Sequence, residues 1–143
     1  MKTRARRGAA RILIAEDDAS LRRLLEMRLG VDGYITRAVP DGAAALEVLA
    51  EWLPDVVVTD VMMPRLSGLS LCREMRAAPR TAAIPIILLT ARCFDDDMQA
   101  AVDLGGVSFM NKPFDAAALH EALRDALRGA VPAAPRGAGT SGG

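Results

Sequence analysis

The sequence predicts an α/β fold in which helices cover both faces of a parallel sheet. Three short runs, at residues 12–15, 56–58 and 86–89, are continuously apolar, as expected of strands that are buried on both faces. Segments with leucines at helical spacing follow the runs. Because this alternation continues along the 143 residues, right-handed crossovers would place helices on both faces of one sheet.

Weaker apolar segments complete the predicted order of elements. Residues 34–38 and 107–110 are shorter and more mixed, which favours strands at the two edges of the sheet and brings the predicted total to five. Leucines share a face in three predicted helices: Leu21, Leu24, Leu25 and Leu29; Leu46, Leu49 and Leu53; Leu119, Leu123 and Leu127. Two more helices are predicted over about residues 69–78 and 96–104. Asp41 and Asp115 are expected to cap helices, and Gly30 and Gly33 mark the exit from the first one.

The predicted sheet occupies most of the chain. We expect a basic, flexible N-terminus over residues 1–10, one folded domain over residues 11–128, and a tail or linker over residues 129–143, which is rich in Pro, Gly and Ala. For a doubly wound sheet of this size, the flavodoxin-like strand order 2-1-3-4-5 is the simplest choice. That order places the first and third strands side by side.

Composition and charge exclude several classes of function. Eighteen basic residues balance 18 acidic ones, so no overall field favours direct binding of nucleic acid or an anionic membrane. No apolar run has the roughly 18 residues that a membrane span needs, and no signal peptide is recognisable, so we expect a cytoplasmic protein. Cys72 and Cys93 lack metal-ligand spacing and are expected to be reduced, structurally incidental thiols.

Chemistry-bearing residues follow the predicted strands at their carboxyl ends. Glu16, Asp17 and Asp18 follow the first strand, Asp60 the third and Thr90 the fourth. The fifth strand leads through Asn111 into Lys112 and Pro113. Ligands of open α/β sheets bind at this edge. Neighbouring carboxylates repel one another, and an all-oxygen ligand set that retains waters suits Mg²⁺.

Four motifs in register resemble the receiver domain of bacterial response regulators. They are Ile-Leu-Ile-Ala-Glu-Asp-Asp ending at Asp18, Pro-Asp-Val-Val-Val-Thr-Asp-Val-Met-Met-Pro from Pro54 with Gly68 beyond it, Leu-Thr-Ala at residues 89–91, and Lys-Pro-Phe from Lys112. The resemblance spans about residues 11–128. It implies a phosphoacceptor signalling switch of a two-component system or phosphorelay, and it reinforces the flavodoxin-like strand order by analogy.

The resemblance also implies a metal site and a phosphorylated residue. By position, Asp60 is similar to the phosphoacceptor and Asp17 to the carboxylate that binds Mg²⁺ directly. Glu16 matches the acid that binds the ion through water, although many family members carry Asp there. The main-chain carbonyl of Met62 matches the remaining protein ligand. Asp18 is outside this set, and its spacing favours a helix cap.

Three further residues match family positions with roles in the response to phosphorylation. Lys112 would pair with the phosphoryl group, and Thr90 would move toward that group after transfer. Phe109 occupies the position of an aromatic residue that reorients as Thr90 moves. The resemblance implies a cis bond between Lys112 and Pro113.

The resemblance implies partners as well. A sensor histidine kinase or phosphotransfer protein would donate the phosphoryl group, and a downstream effector or a covalently linked output domain would read the change, with a phosphorylation-dependent homodimer as a further possibility. The domain would assist its own phosphorylation and dephosphorylation without being an enzyme. Met62 and Arg92 occupy positions that tune hydrolysis of the acyl phosphate in this family, and we hypothesise that their bulk lengthens its lifetime.

Three alternative functions use the same fold or chemistry. An aspartyl-phosphate hydrolase would carry a second acid two residues after its nucleophile, where this chain has Met62. A flavodoxin-type electron carrier would carry a phosphate loop after the first strand and aromatics around a flavin, whereas the single Trp52 is predicted to lie in a helix. A degenerate receiver that binds partners without phosphorylation stays open.

Overall fold

The computed structural model describes residues 8–91 and 93–129. Five strands alternate with five helices: β1 (Arg11–Ala15), α1 (Ala19–Val31), β2 (Ile35–Val39), α2 (Gly42–Leu49), β3 (Val56–Asp60), α3 (Gly68–Ala77), β4 (Ile86–Thr90), α4 (Asp96–Asp103), β5 (Val107–Asn111) and α5 (Ala116–Leu127). This alternation confirms the predicted α/β class.

The strands form one parallel sheet with the order β2-β1-β3-β4-β5, as predicted. The register pairs Ala15 of β1 with Thr59 of β3, and Thr90 of β4 with Asn111 of β5. The carboxyl ends of β1, β3, β4 and β5 therefore lie at the same edge of the sheet. The residues that directly follow these strands share that edge.

The central strands are apolar because both of their faces are covered. Every residue of β3 and β4 is buried. Alternate residues point into two cores on opposite faces, so Leu13 and Leu88 belong to one core, while Ile14 and Ile87 belong to the other. The first core packs against α2, α3 and α4, and the second packs against α1 and α5.

Acidic and hydroxyl side chains cap the N-termini of the helices. Each of five residues accepts a hydrogen bond from a backbone N–H in the first turn of the helix that it precedes: Asp18, Asp41, Ser67, Asp95 and Asp115. The predicted caps Asp41 and Asp115 and the cap function of Asp18 are confirmed. The cis bond between Lys112 and Pro113 is also present.

Three local predictions are wrong. Leu53 does not share a helix face with Leu46 and Leu49, because α2 ends at Leu49. Gly30 does not end α1, which continues to Val31, and the chain turns at Gly33 with a φ of 99°. Trp52 lies beyond the end of α2, where the guanidinium groups of Arg11 and Arg37 lie 5.5 and 4.8 Å from its ring centroid.

Helix length bears on membrane insertion. The longest helix in the described part of the chain is α1, with 13 residues, and none there is long and apolar enough to cross a bilayer.

Candidate functional site

Residues from four strand ends meet at the carboxyl edge of the sheet. Asp60 is the last residue of β3, and Thr90 is the last residue of β4. Glu16 follows β1 directly, and Lys112 follows β5. The backbone N–H of Lys112 donates to the carbonyl of Thr90 at 2.7 Å, and that of Val61 donates to Leu89 at 2.9 Å. These ladder bonds continue the sheet into the loops that carry the site.

The ammonium group of Lys112 lies between two carboxylates. Its Nζ atom lies 3.1 Å from Oε1 of Glu16 and 3.2 Å from Oδ2 of Asp60. The side chain of Glu16 is fully buried, and the side chains of Asp60 and Lys112 are 10% and 21% exposed. The predicted meeting of an amine with the acidic cluster is therefore present, and little water screens it.

Hydrogen bonds hold both the side chain and the backbone of Glu16. Oε2 of its side chain accepts a hydrogen bond from the backbone N–H of Asp18 at 3.0 Å. Its backbone carbonyl accepts from Nη1 of Arg22 at 2.8 Å, and its backbone N–H donates to Val39 at 3.0 Å. Glu16 has one more methylene than the Asp that many family members carry. Its longer side chain is held by these hydrogen bonds, and its carboxylate contacts Lys112.

Burial and charge shift the proton affinities of this site. Burial raises the pKa of Glu16 and of Asp60 above the ordinary carboxylate values, against the lowering effect of Lys112. Burial alone would lower the pKa of Lys112, but the hydrogen bond to Glu16 and the charge of Asp60 outweigh it, and the pKa is raised. The carboxyl groups are therefore costly to ionise together, and the ammonium form is favoured.

Three carboxylates are close enough to bind one cation. Oxygen atoms of Glu16, Asp17 and Asp60 all lie within 4.8 Å of one another. Two of these residues are buried, whereas Asp17 is exposed, so such an ion would keep contact with water. A hydrated, all-oxygen site of this kind suits Mg²⁺. With one ammonium group among three carboxylates, a divalent cation would also compensate the remaining charge.

The remaining predicted site residues lie at the end of β4, in the loop after β3 and on β5. Thr90 is 3% exposed at the end of β4. Met62, which is 60% exposed, lies in the loop after Asp60. Phe109 of β5 packs edge-to-face against Phe94, with a centroid distance of 5.3 Å and an interplanar angle of 83°. Arg92 lies outside the described residues.

The loop after Asp60 returns closely past that residue. The backbone N–H of Gly68 donates to the carbonyl of Val61 at 2.9 Å. A Cβ atom at Gly68 would collide with the backbone carbonyl of Asp60, so the start of α3 can lie here only because residue 68 is glycine. Close packing of backbone therefore fixes the position of Asp60.

Sequence reasoning missed two arginine contacts near the site. Arg22 of α1 donates to the carbonyl of Glu16, and Arg65 of the loop after β3 forms an ion pair with Asp41. Neither contact has a sequence signal, because an arginine on a helix or beside a proline is typical of a solvated surface. The partner of Arg22 is a backbone carbonyl, and the partner of Arg65 lies 24 residues away along the chain.

Comparison with protein families identifies one match that covers most of the chain. The family model for the response regulator receiver domain matches residues 12–124. Among curated proteins, the response regulator MprA of Mycolicibacterium vanbaalenii is 40% identical over 122 residues, which are 85% of this chain and 52% of that protein. The probable transcriptional regulator ycf27 of Galdieria sulphuraria is 41% identical over 118 residues, 82% of this chain and 45% of that protein. The chain thus spans about half the length of these relatives.

Solved structures with the same fold cover the same region. The signal receiver domain of a signal transduction histidine kinase from Syntrophus aciditrophicus is 33% identical, with a TM-score of 0.77, and the match covers 85% of this chain and 92% of that one. The chemotaxis protein CheY4 of Vibrio cholerae is 27% identical, with a TM-score of 0.79, and the match covers 84% and 100% of the two chains.

Proposed function

The chain belongs to the response regulator receiver domain family, and from this premise we propose that it is a phosphoacceptor switch in which Asp60 receives a phosphoryl group from a phospho-histidine donor. The contact of Lys112 with both Asp60 and Glu16, beside a third carboxylate, carries the proposal. An amine that served only as a solvated loop charge would not lie between two acids with only 21% of its side chain exposed. The site therefore has the charges that phosphoryl transfer needs.

The proposed cofactor is Mg²⁺. The carboxylates of Asp17 and Asp60 would hold it directly, Glu16 would hold it through water, and the main-chain carbonyl of Met62 would complete the protein ligands. When bound, the ion would supply positive charge to the oxygens of the phosphoryl group. The close approach of the carboxylate oxygens of Glu16, Asp17 and Asp60 supports this assignment.

The residues of the chain perform the remaining chemistry. A carboxylate oxygen of Asp60 forms a bond to phosphorus while the bond from phosphorus to the histidine nitrogen of the donor breaks, and the electron pair stays on that nitrogen. Lys112 pairs with the transferred group, whose oxygens take over a contact that Asp60 and Glu16 now make. Thr90 then moves toward the phosphoryl group, and Phe109 reorients, so that the populations of two states shift.

Removal of the metal tests this function. In Mg²⁺ and acetyl phosphate, the protein is expected to gain the mass of one phosphoryl group, because the cation offsets the repulsion between the carboxylates and the incoming anion. With EDTA in place of Mg²⁺, the intact mass is expected to stay unchanged. An equal gain with EDTA would contradict the proposed metal site, and no gain in either buffer would contradict the phosphoacceptor function.

A groove beside the site is our proposed contact for the donor protein. It has a volume of about 520 Å³ and lies between α1 and the start of α5, with an apolar lining that includes Leu21, Leu24 and Phe114. Ala91 and Lys112 line the same groove, so it is continuous with the acidic site. An amphipathic helix of the donor protein, seated there, would bring its phospho-histidine beside Asp60.

Leu24→Arg tests the groove separately from the chemistry. Because Leu24 is 60% exposed and lines the groove, an arginine there is expected to slow transfer from a phosphorylated histidine phosphotransfer protein by about tenfold. Modification by acetyl phosphate should keep its wild-type rate. Leu104→Arg is the matched control, since Leu104 is 41% exposed and lies after α4. Wild-type transfer to the Leu24 variant would place the donor elsewhere.

The proposal extends to the domain bounds, the partners and the output of the chain. We propose that residues 11–128 form the receiver domain. Most of the predicted basic N-terminus (residues 1–10) and of the predicted tail or linker (residues 129–143) lies outside the described residues. Phosphorylation would promote partner binding or a homodimer, in the cytoplasm. The ycf27 relatives are named probable transcriptional regulators, and an output of this kind is our proposal for a protein that contains this domain.

A further inference from the structure

We infer that Arg65 and Asp41 are positioning residues that set the affinity of the site for Mg²⁺ by clamping the β3–α3 loop, residues 61–67, to the start of α2. The inference rests on the proposed function, in which the main-chain carbonyl of Met62 in this loop is a metal ligand. It adds a second layer to that site, made of two side chains that contact neither the metal nor the phosphoryl group.

The clamp is a two-pronged ion pair. Nε of Arg65 lies 3.0 Å from Oδ2 of Asp41, and Nη2 lies 3.1 Å from Oδ1. The planar guanidinium group matches the planar carboxylate, so the pair fixes orientation as well as distance. Asp41 is itself held, because its Oδ1 also accepts from the backbone N–H of Ala44 at 2.8 Å. The loop is therefore attached to a buried helix cap.

The backbone at Arg65 needs such a contact. Its φ is +67°, and it is the one non-glycine residue with positive φ among residues 8–91 and 93–129. The Cβ atom of an L-residue disfavours this conformation, so the surrounding interactions must stabilise it. The ion pair to Asp41 is formed in this conformation, which turns the side chain of Arg65 to α2.

Backbone contacts fix the two ends of the same loop. At one end, Val61 bonds to Leu89 and Gly68. At the other end, the N–H of Gly42 donates to the carbonyl of Leu66 at 3.1 Å, and a Cβ at Gly42 would collide with Leu66. Met62 lies between these fixed points, three residues before the residue that reaches α2. Loss of the clamp would therefore loosen the segment that carries the proposed carbonyl ligand.

The direction of the change in Mg²⁺ affinity distinguishes a positioning function of Arg65 from a simple effect of its charge. Arg65 is a cation in the loop of a cation site, so its removal would tighten Mg²⁺ binding if only charge mattered. If the clamp positions the loop, removal of Arg65 would weaken binding instead. Arg65→Gly suits this test, because glycine adopts positive φ freely and removes the side chain without adding strain.

The test is calorimetric titration of Mg²⁺ into four folded proteins: wild type, Arg65→Gly, Asp41→Asn and the double variant. Asp41→Asn keeps an oxygen that can cap α2 but removes the charge. Each single variant is expected to bind Mg²⁺ about three- to tenfold more weakly. This range lies at or below the lower end of the usual effect for residues that support metal ligands, because the side chain of Arg65 is 60% exposed and water weakens its ion pair. The double variant is expected to bind no more weakly than the weaker single variant, since both changes break one clamp.

Arg128→Ala is the matched control, because it removes another Arg–Asp pair, to Asp125 at 2.8 Å, at the far end of α5. It is expected to bind Mg²⁺ as wild type does. Wild-type or tighter binding by Arg65→Gly would overturn the inference and leave the proposed function standing. Additive losses in the double variant would also overturn it. An absence of Mg²⁺ binding by wild type itself would instead contradict the proposed function and remove the site on which the inference rests.

Discussion

Asp60→Asn is expected to gain no phosphoryl group from acetyl phosphate and Mg²⁺, whereas wild type gains one. The amide is a poor nucleophile and cannot form the acyl phosphate, although its oxygen can still accept from Lys112. Intact mass spectrometry over a time course measures the difference. Because burial raises the pKa of Asp60, its charged form is disfavoured in the folded protein, and the variant is expected to be at least as stable as wild type near pH 8.

Asp18→Asn is the matched control for this prediction. Asp18 is adjacent to the acidic cluster, but its side chain caps α1 through the N–H groups of Ser20 and Leu21, and asparagine caps equally well. This variant is expected to accept a phosphoryl group as wild type does. Modification of Asp60→Asn at the wild-type rate would show that another residue is the acceptor.

Lys112→Met is expected to lower the rate of phosphorylation by roughly a hundredfold, the usual scale for loss of one preorganised charge from such a site. Methionine keeps an apolar stem of similar length but removes the ammonium group that contacts Asp60 and Glu16. The rate with acetyl phosphate at saturating Mg²⁺ is the measurement. Lys112→Ala is expected to show the same loss, because the charge and not the packing is responsible. A rate within about twofold of wild type, well short of the loss expected for such a group, would contradict the proposed function of Lys112.

The same variant has a predicted dependence of stability on pH. Without the ammonium group, the pKa values of Glu16 and Asp60 would rise further above their ordinary values. The folded state would then bind protons more tightly than the unfolded state, so stability relative to wild type falls as pH rises above the ordinary carboxylate range. Urea unfolding is expected to show a loss of about 1 to 3 kcal/mol near neutral pH and a smaller loss at low pH. A loss that is independent of pH would contradict this account.

The central part of the fold could be predicted because strands buried on both faces leave an unmistakable pattern. β3 and β4 begin with continuous apolar runs, and leucines at helical spacing mark α1, α2 and α5. The end of α2 could not be predicted. Nη1 of Arg80 donates to the carbonyls of Leu49 and Ala50, at 3.0 and 3.3 Å, from 31 and 30 residues away. The stack of Arg11 and Arg37 on Trp52 is equally remote in sequence.

The candidate site could be predicted to the level of which residues meet, but not of how they are held. Parallel strands bring their carboxyl ends to one edge of the sheet, so the strand order predicts that Asp60, Glu16 and Lys112 lie at that edge. The contacts of Arg22 and Arg65 depend on side-chain conformations and on a positive φ. Those features follow from packing across several elements, which no local pattern records.

The most direct test of the central claim locates the phosphoryl group on the chain. Wild type would be phosphorylated with acetyl phosphate and Mg²⁺, reduced with borohydride so that an acyl phosphate becomes a stable alcohol, and digested with trypsin. Cleavage after Arg22 and Arg37 separates Asp60 from Glu16 and Asp17, and fragment masses then identify the residue. We expect reduction at Asp60 and nowhere else. Reduction at Glu16, at Asp17 or at an acid remote from Lys112 would contradict the account.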